Sequence, residues 1–163
     1  MSTPTSVRDP RALLEPAVFS GVVSTVLNNN PGMTPELAER ITAEALKFLA
    51  AAANTPGSPI APSPVVDEGW HALVLDTALY GQLCDRLGVF LHHRPELPQD
   101  VDYDPQLIAR TLQAMERAGY TPDRQLWAGP DGQVFAVAAT TWHSPPEGPI
   151  VIIPKPPSKS HAA

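Results

Sequence analysis

The sequence predicts a mainly α protein: a compact helical domain of about four to five helices, then a small C-terminal β-hairpin and a disordered tail. Two observations predict it. Apolar residues recur at helical spacing in successive stretches between residues 16 and 118. Pairs suited to a helix cap and a first helical position stand at Asp9-Pro10, Thr34-Pro35 and Asp104-Pro105. A length of 163 residues suits one domain with a sizeable core. The single cysteine, Cys84, rules out an intramolecular disulfide.

The expected organisation is a disordered stretch at 1–8, a helical domain at 9–127, a hairpin or extended segment at 128–153 and a disordered tail at 154–163. Asp9 caps a short turn at 10–15, because Pro16 interrupts the pattern. A helix at about 16–28 carries Val18, Phe19, Val22, Val23, Val26 and Leu27 at helical spacing. Thr34-Pro35 opens a second helix with an apolar stripe of Leu37, Ile41, Ala45, Phe48, Leu49 and Ala52. Glu36, Glu39, Arg40, Glu44 and Lys47 fall mostly on its other side. The short link between the two suggests a helical hairpin.

Prolines at 56, 59, 62 and 64 make 54–66 an extended connection. A helix is expected from near Asp67 to about Asp76, with Thr77 capping a continuation through Leu87 that Gly88 ends. Val89-Phe90-Leu91-His92-His93 follows as a short apolar run. Asp104-Pro105 opens a helix to about Ala118 with Leu107, Ile108, Leu112 and Met115 on its apolar face. Residues 125–128 and 133–139 could pair around Gly129-Pro130-Asp131-Gly132, with Ile150–Ile153 as a third strand.

Composition narrows the function classes. Net charge is -6, from 11 basic and 17 acidic residues, and no basic run occurs, which argues against a nucleic-acid partner. No apolar stretch approaches the ~18 residues needed to span a bilayer. The N-terminus lacks the basic-then-apolar pattern of a secretory signal, so the expected location is cytoplasmic. A protein partner stays open, and the Pro-rich tail is a candidate ligand for one.

Asp67 and His71 are the leading site candidates. Four positions apart on a helix, they share one face. A carboxylate and an imidazole so placed can ligate a metal, or the carboxylate can orient the imidazole. The competing reading makes Asp67 a helix N-cap. His92 and His93 are the next candidates. In an extended segment they point to opposite faces, so one joins a site and the other does not. In a turn both could face inward. Cys84 could be a soft ligand for zinc, or a buried inert thiol. Tyr80, one turn before Cys84, could hydrogen-bond into the same place. Trp70 is assigned to packing. Trp142-His143 precedes Ser144-Pro145-Pro146 and reads as a surface loop, and His161 lies in the tail. No phosphate-binding glycine loop, nucleophile elbow or His-Glu-x-x-His motif is present.

The stretch Val66-Asp67-Glu68-Gly69-Trp70-His71-Ala72-Leu73-Val74-Leu75, continuing through Tyr80, Leu83-Cys84, Gly88 and His92-His93, resembles the glycine-rich domain-containing protein-like family, its small actinobacterial members in particular. Asn30–Thr34, Ala118–Asp123 and Leu126-Trp127 extend the likeness across residues 10–127. The resemblance implies a shared site built from Asp67, His71, Tyr80, Cys84 and His92 or His93, and implies no reaction. Small relatives often carry cysteine-rich C-terminal segments, whereas 128–163 contain no cysteine.

Three functions compete. The first is a metal site of Asp67, His71, His92 or His93, with Cys84 as a further ligand. Zinc suits mixed carboxylate and imidazole ligands. Non-haem iron suits two histidines and one carboxylate, and would make the protein an accessory or catalytic member of a specialised biosynthetic pathway. The second is a non-enzymatic adaptor whose polar cluster fixes helix packing. The third is metal-free catalysis, with His71 as a general base oriented by Asp67.

Overall fold

The computed structural model describes residues 7–93 and 105–127. Five helices occupy them: α1 (Pro16–Asn29), α2 (Pro35–Asn54), α3 (Pro64–Leu75), α4 (Thr77–Leu87) and α5 (Pro105–Arg117). Single 3-10 turns lie at Pro10–Leu13 and Arg124–Trp127. No strand occurs among the described residues. The expected hairpin at 133–139 and the strand at 150–153 lie outside them. Residues 125–127, expected in a strand, belong instead to the second 3-10 turn, which seats Leu126 and Trp127 in the core.

Two of the expected cap-and-proline pairs act as their chemistry dictates; in the third, Asp104 lies outside the described residues. Asp9 accepts a hydrogen bond from the Arg11 amide, and Thr34 accepts one from the Leu37 amide. Each satisfies an amide that the first turn leaves open, and the proline that follows needs no partner there. A further pair, Ser63-Pro64, opens α3 in the same way, with the Ser63 hydroxyl accepting from the Val66 amide. The helix therefore starts three residues before the expected position. Val65 and Val66 are helical and buried, not extended. Asp76, not Thr77, caps α4 by accepting from the Leu79 amide. Gly88 ends α4 at φ +81°, a left-handed conformation that costs glycine nothing.

The fold begins earlier than residue 9. The Arg8 amide donates to the Gly119 carbonyl at 2.9 Å, and its side chain reaches the Ala118 carbonyl. That ties Arg8 to the end of α5.

Helix α2 is the central element and packs against α1, α3 and α5. Ala38, Ile41, Ala45, Leu46 and Leu49 have no exposed surface. With Val26, Val66, Leu73 and Met115 they form one continuous core. Burying each large aliphatic side chain stabilises by about 1.5–3 kcal/mol. The expected polar face of α2 is partly wrong. Glu44 is fully buried, because α2 is covered on most sides.

Helix α3 lies closest to α2 at Gly69. A Cβ built there would sit 2.7 Å from the Ala45 Cβ and 2.8 Å from the Ile41 carbonyl oxygen. Only a residue without a side chain allows this approach. The contact turns Val65, Val66, Glu68, Ala72 and Leu73 inward and leaves Asp67, Trp70, His71 and Val74 on the outer, half-buried side. Inside, the Asn30 amide nitrogen donates to Glu68 at 2.8 Å and to the Val26 carbonyl at 2.9 Å, so one buried polar group joins α1 and α3.

Candidate metal centre

The start of α3 at Pro64 decides the role of Asp67. Ser63 holds the cap position, so the Asp67 carboxylate is not used as the N-cap. It lies in the first turn, where a negative charge is favoured by the helix dipole. His71 follows one turn later, with Nε2 3.2 Å from Asp67 Oδ2.

The third member comes from beyond α4. After Gly88 the chain runs back over α3 and α4, and from Phe90 to His93 its residues alternate in burial. Val89 and Phe90 are exposed, Leu91 packs against the core, His92 is exposed and His93 is half-buried. His93 Nε2 lies 2.9 Å from Asp67 Oδ1. The carboxylate thus offers one oxygen to each of two imidazoles, and the two rings stand 4.5 Å apart between centroids. One donor atom from each of Asp67, His71 and His93 falls within 4.8 Å of the others. Cis donors on an octahedral ion with bonds near ~2.1 Å stand about 3.0 Å apart, and on a tetrahedral ion about 3.4 Å. The Asp67 pairs, at 3.2 and 2.9 Å, fall in that range through different carboxylate oxygens, and one donor atom from each residue falls only within the wider 4.8 Å.

Exposure differs across the group. Asp67 and His93 side chains are 22% and 17% exposed, whereas His71 is 42% exposed. Solvent therefore reaches the site from the His71 side.

Trp70 walls the site on another side. Its ring packs on Phe48 at 5.4 Å between centroids and meets the His93 ring edge-on at 4.5 Å. The assignment to packing was half of its role. Its indole Nε1 donates to the Tyr80 hydroxyl at 2.9 Å, and that hydroxyl donates in turn to the Leu91 carbonyl. Burial pushes the Tyr80 phenol well above its usual range, so it stays protonated and able to donate.

The structure does not bring the other candidates to this group. Cys84 is 2% exposed, within the core. Its place on the buried Tyr80–Leu83–Cys84 face of α4 explains why: the same helical face that packs the fold holds the thiol. His92 faces outward and stacks on Phe90 at 4.8 Å. Trp142, His143 and His161 lie outside the described residues.

A second polar centre escaped sequence reading. Glu44 Oε1 accepts from the Trp127 indole at 2.7 Å and from the Asp123 amide at 2.8 Å. Its other oxygen accepts from Lys47 at 2.7 Å. Lys47 also donates to the Thr121 carbonyl. Arg40 grips Asp123 through two nitrogens, at 2.7 and 3.0 Å, and holds its carboxyl below the usual carboxylate range. No local pattern marks this centre, because the partners Asp123 and Trp127 lie 79 and 83 positions beyond Glu44. A charged cleft of about 320 Å³ lies over this centre, lined by Arg11, Glu36, Glu39, Arg40, Glu44 and Asp123 among others. Its cations are engaged with carboxylates: Arg11 with Glu39, Arg40 with Asp123 and Lys47 with Glu44.

Comparison with known proteins gives one result. The model of the UCP032817-like family matches residues 11–112. The chain belongs to the UCP032817-like family. This corrects the likeness to the glycine-rich domain-containing protein-like family. Asp67, Trp70, His71, Tyr80, Cys84, Gly88, His92 and His93, which suggested that likeness, all lie within the UCP032817-like match. No curated protein and no solved structure matches the chain. In this UCP032817-like protein, no described helix is long and apolar enough to cross a membrane.

Proposed function

We propose that the protein binds a divalent transition metal through Asp67, His71 and His93. The observation that supports this is the convergence of three donor atoms, two imidazole and one carboxylate, within 4.8 Å. Two chemistries fit such a set. Zinc takes three protein ligands with water in a fourth position, where the water is acidified. Iron(II) takes two histidines and one carboxylate on one face and leaves the other positions for substrate and oxygen. Exposure of His71 gives either ion a path to solvent. To bind metal, each Nε2 must offer its lone pair in place of an N–H bonded to Asp67, so an imidazole that binds carries its proton on Nδ1, and acid, which protonates both nitrogens, weakens binding.

The test is elemental analysis of protein purified without added metal, followed by titration of the stripped protein with zinc and iron(II). Near-stoichiometric zinc or iron is expected. Less than about a tenth of an equivalent of any transition metal, with no uptake on titration, overturns the proposal for a site of structural affinity.

A second reading has its own support. Asp67 pairs with His71 and His93, and beside them hydrogen bonds run from Trp70 through Tyr80 to Leu91, so α3, α4 and the segment after α4 are joined without any ion. In that reading the cluster is a structural network in an interaction protein. A strong fall in melting temperature of stripped Asp67→Ala supports it. An unchanged melting temperature rejects it.

A further inference from the structure

We propose that Tyr80 is a positioning residue, whose hydroxyl holds the segment after α4 so that His93 faces Asp67. The affinity part of this proposal rests on the metal reading above. The positional part does not.

His93 stands on a segment with few anchors. Val89, Phe90 and His92 are exposed. After the Val89 amide, which donates to the Cys84 carbonyl, the backbone is held by the Tyr80 hydroxyl on the Leu91 carbonyl, two residues before His93. Where side chains alternate in burial, residues two apart share a side. The Leu91 side chain packs against the core, so holding the backbone at Leu91 keeps His93 on that side too. Tyr80 is well placed to do this. It is 4% exposed, and its ring belongs to the core. Its hydroxyl has one proton, spent on Leu91, and accepts the Trp70 indole N–H. Trp70 closes the arrangement, because its ring edge abuts the His93 ring. Phe90 leans on the Tyr80 ring from outside at 5.7 Å. The hydroxyl is thus bound to two groups on either side of His93, and touches no member of the donor set itself.

Tyr80→Phe isolates this role, since it keeps the ring in the core and removes only the hydroxyl. Two measurements are needed. In the first, zinc affinity of the stripped full chain is compared for wild type, Tyr80→Phe, His93→Ala and the double variant. Partners that orient a ligand typically change affinity by about 10–100-fold when removed. A loss of that size is expected in Tyr80→Phe, and no further loss in the double variant, because the residue that Tyr80 positions is already gone. In the second, metal-free protein is treated with diethylpyrocarbonate and the modified histidines are identified by mass spectrometry. Tyr80→Phe is expected to modify His93 several-fold faster, with His92 unchanged.

An equal affinity loss with and without His93 overturns the proposal, because the effect then does not pass through that residue. So does an unchanged His93 modification rate. If wild type takes up no zinc, the metal reading fails, and the modification rate alone decides the positioning role. If circular dichroism shows Tyr80→Phe unfolded, Trp70→Phe replaces it: loss of the indole N–H loosens the hydroxyl, so a smaller gain in His93 modification is expected, and none overturns the proposal.

Discussion

His93 Nε2 lies 2.9 Å from Asp67 Oδ1, although 26 positions separate the two residues in the sequence. The neighbouring His92 faces the opposite way and touches Phe90. Substitution at these adjacent positions should therefore have unequal effects. His93→Ala is expected to weaken zinc binding by more than ~10-fold, since even an outer partner of a ligand contributes that much. His92→Ala should leave it unchanged. Titration of the two stripped variants by calorimetry checks the contrast, and equal losses would count against the three-residue site.

Gly69 governs how α3 seats on α2. A methyl group there meets the Ala45 Cβ and the Ile41 carbonyl at distances that neither can yield cheaply. Gly69→Ala should destabilise the fold by about 1–3 kcal/mol despite the better helix propensity of alanine. Urea unfolding measures this. A stability equal to wild type would show that the two helices can separate without loss.

Glu44 is fully buried and bonded to Trp127, Asp123 and Lys47. Removing it leaves three donors without their acceptor. Glu44→Ala is expected to lower stability by about 3 kcal/mol, in the range for breaking a buried pair from one side. The Trp127 environment should become more polar, which tryptophan fluorescence would record as a red shift.

Asp123 and Arg40 predict a response to acid. Arg40 lowers the folded-state Asp123 pKa below its unfolded value. The resulting stability is complete above the ordinary carboxylate range near ~3.9 and is lost as pH falls through the lower folded value. Asp123→Asn should therefore be less stable than wild type at neutral pH, with the difference shrinking at the acid end. Arg40 is 39% exposed on its side chain, so solvent screening keeps the effect modest. Urea unfolding at stepped pH checks this. A difference that grows toward acid would have the wrong sign.

Ser63 caps α3 and also donates to the Leu126 carbonyl at 2.6 Å. Ser63→Ala should cost about 1–2 kcal/mol, since cap loss alone is typically ~1 kcal/mol and a buried carbonyl is left without its donor. Thermal denaturation measures it.

Much of the helical frame was legible because it is written in local chemistry. Asp9-Pro10 and Thr34-Pro35 mark starts, and Gly88 and Gly119 mark ends at positive φ. The same rule applied to Ser63-Pro64 would have placed the start of α3 and released Asp67 from the cap. The prolines at 56, 59 and 62 drew that boundary too far along the chain. The choice between His92 and His93 had no such clue. Phe90 and Leu91 are both apolar and lie two positions before His92 and His93 respectively, and only packing shows that Leu91 is the inward one. What local pattern could not supply was the buried Glu44 centre. Its partners, Trp127 and Asp123, come from the other end of the domain, and only the packing of α2 among its neighbours brings them there.

The distance in sequence between Asp67 and His93 has a mechanical consequence. A chain with one cysteine has no covalent way to staple its own loops. An ion shared by these two residues would be such a staple, closing a loop of 26 positions. By restricting the unfolded chain, a cross-link over a loop of that length is worth about 3–4 kcal/mol in the entropic account. Loading and stripping such a site would tighten and loosen the whole helical domain, and metal supply would then set the stability of the folded protein.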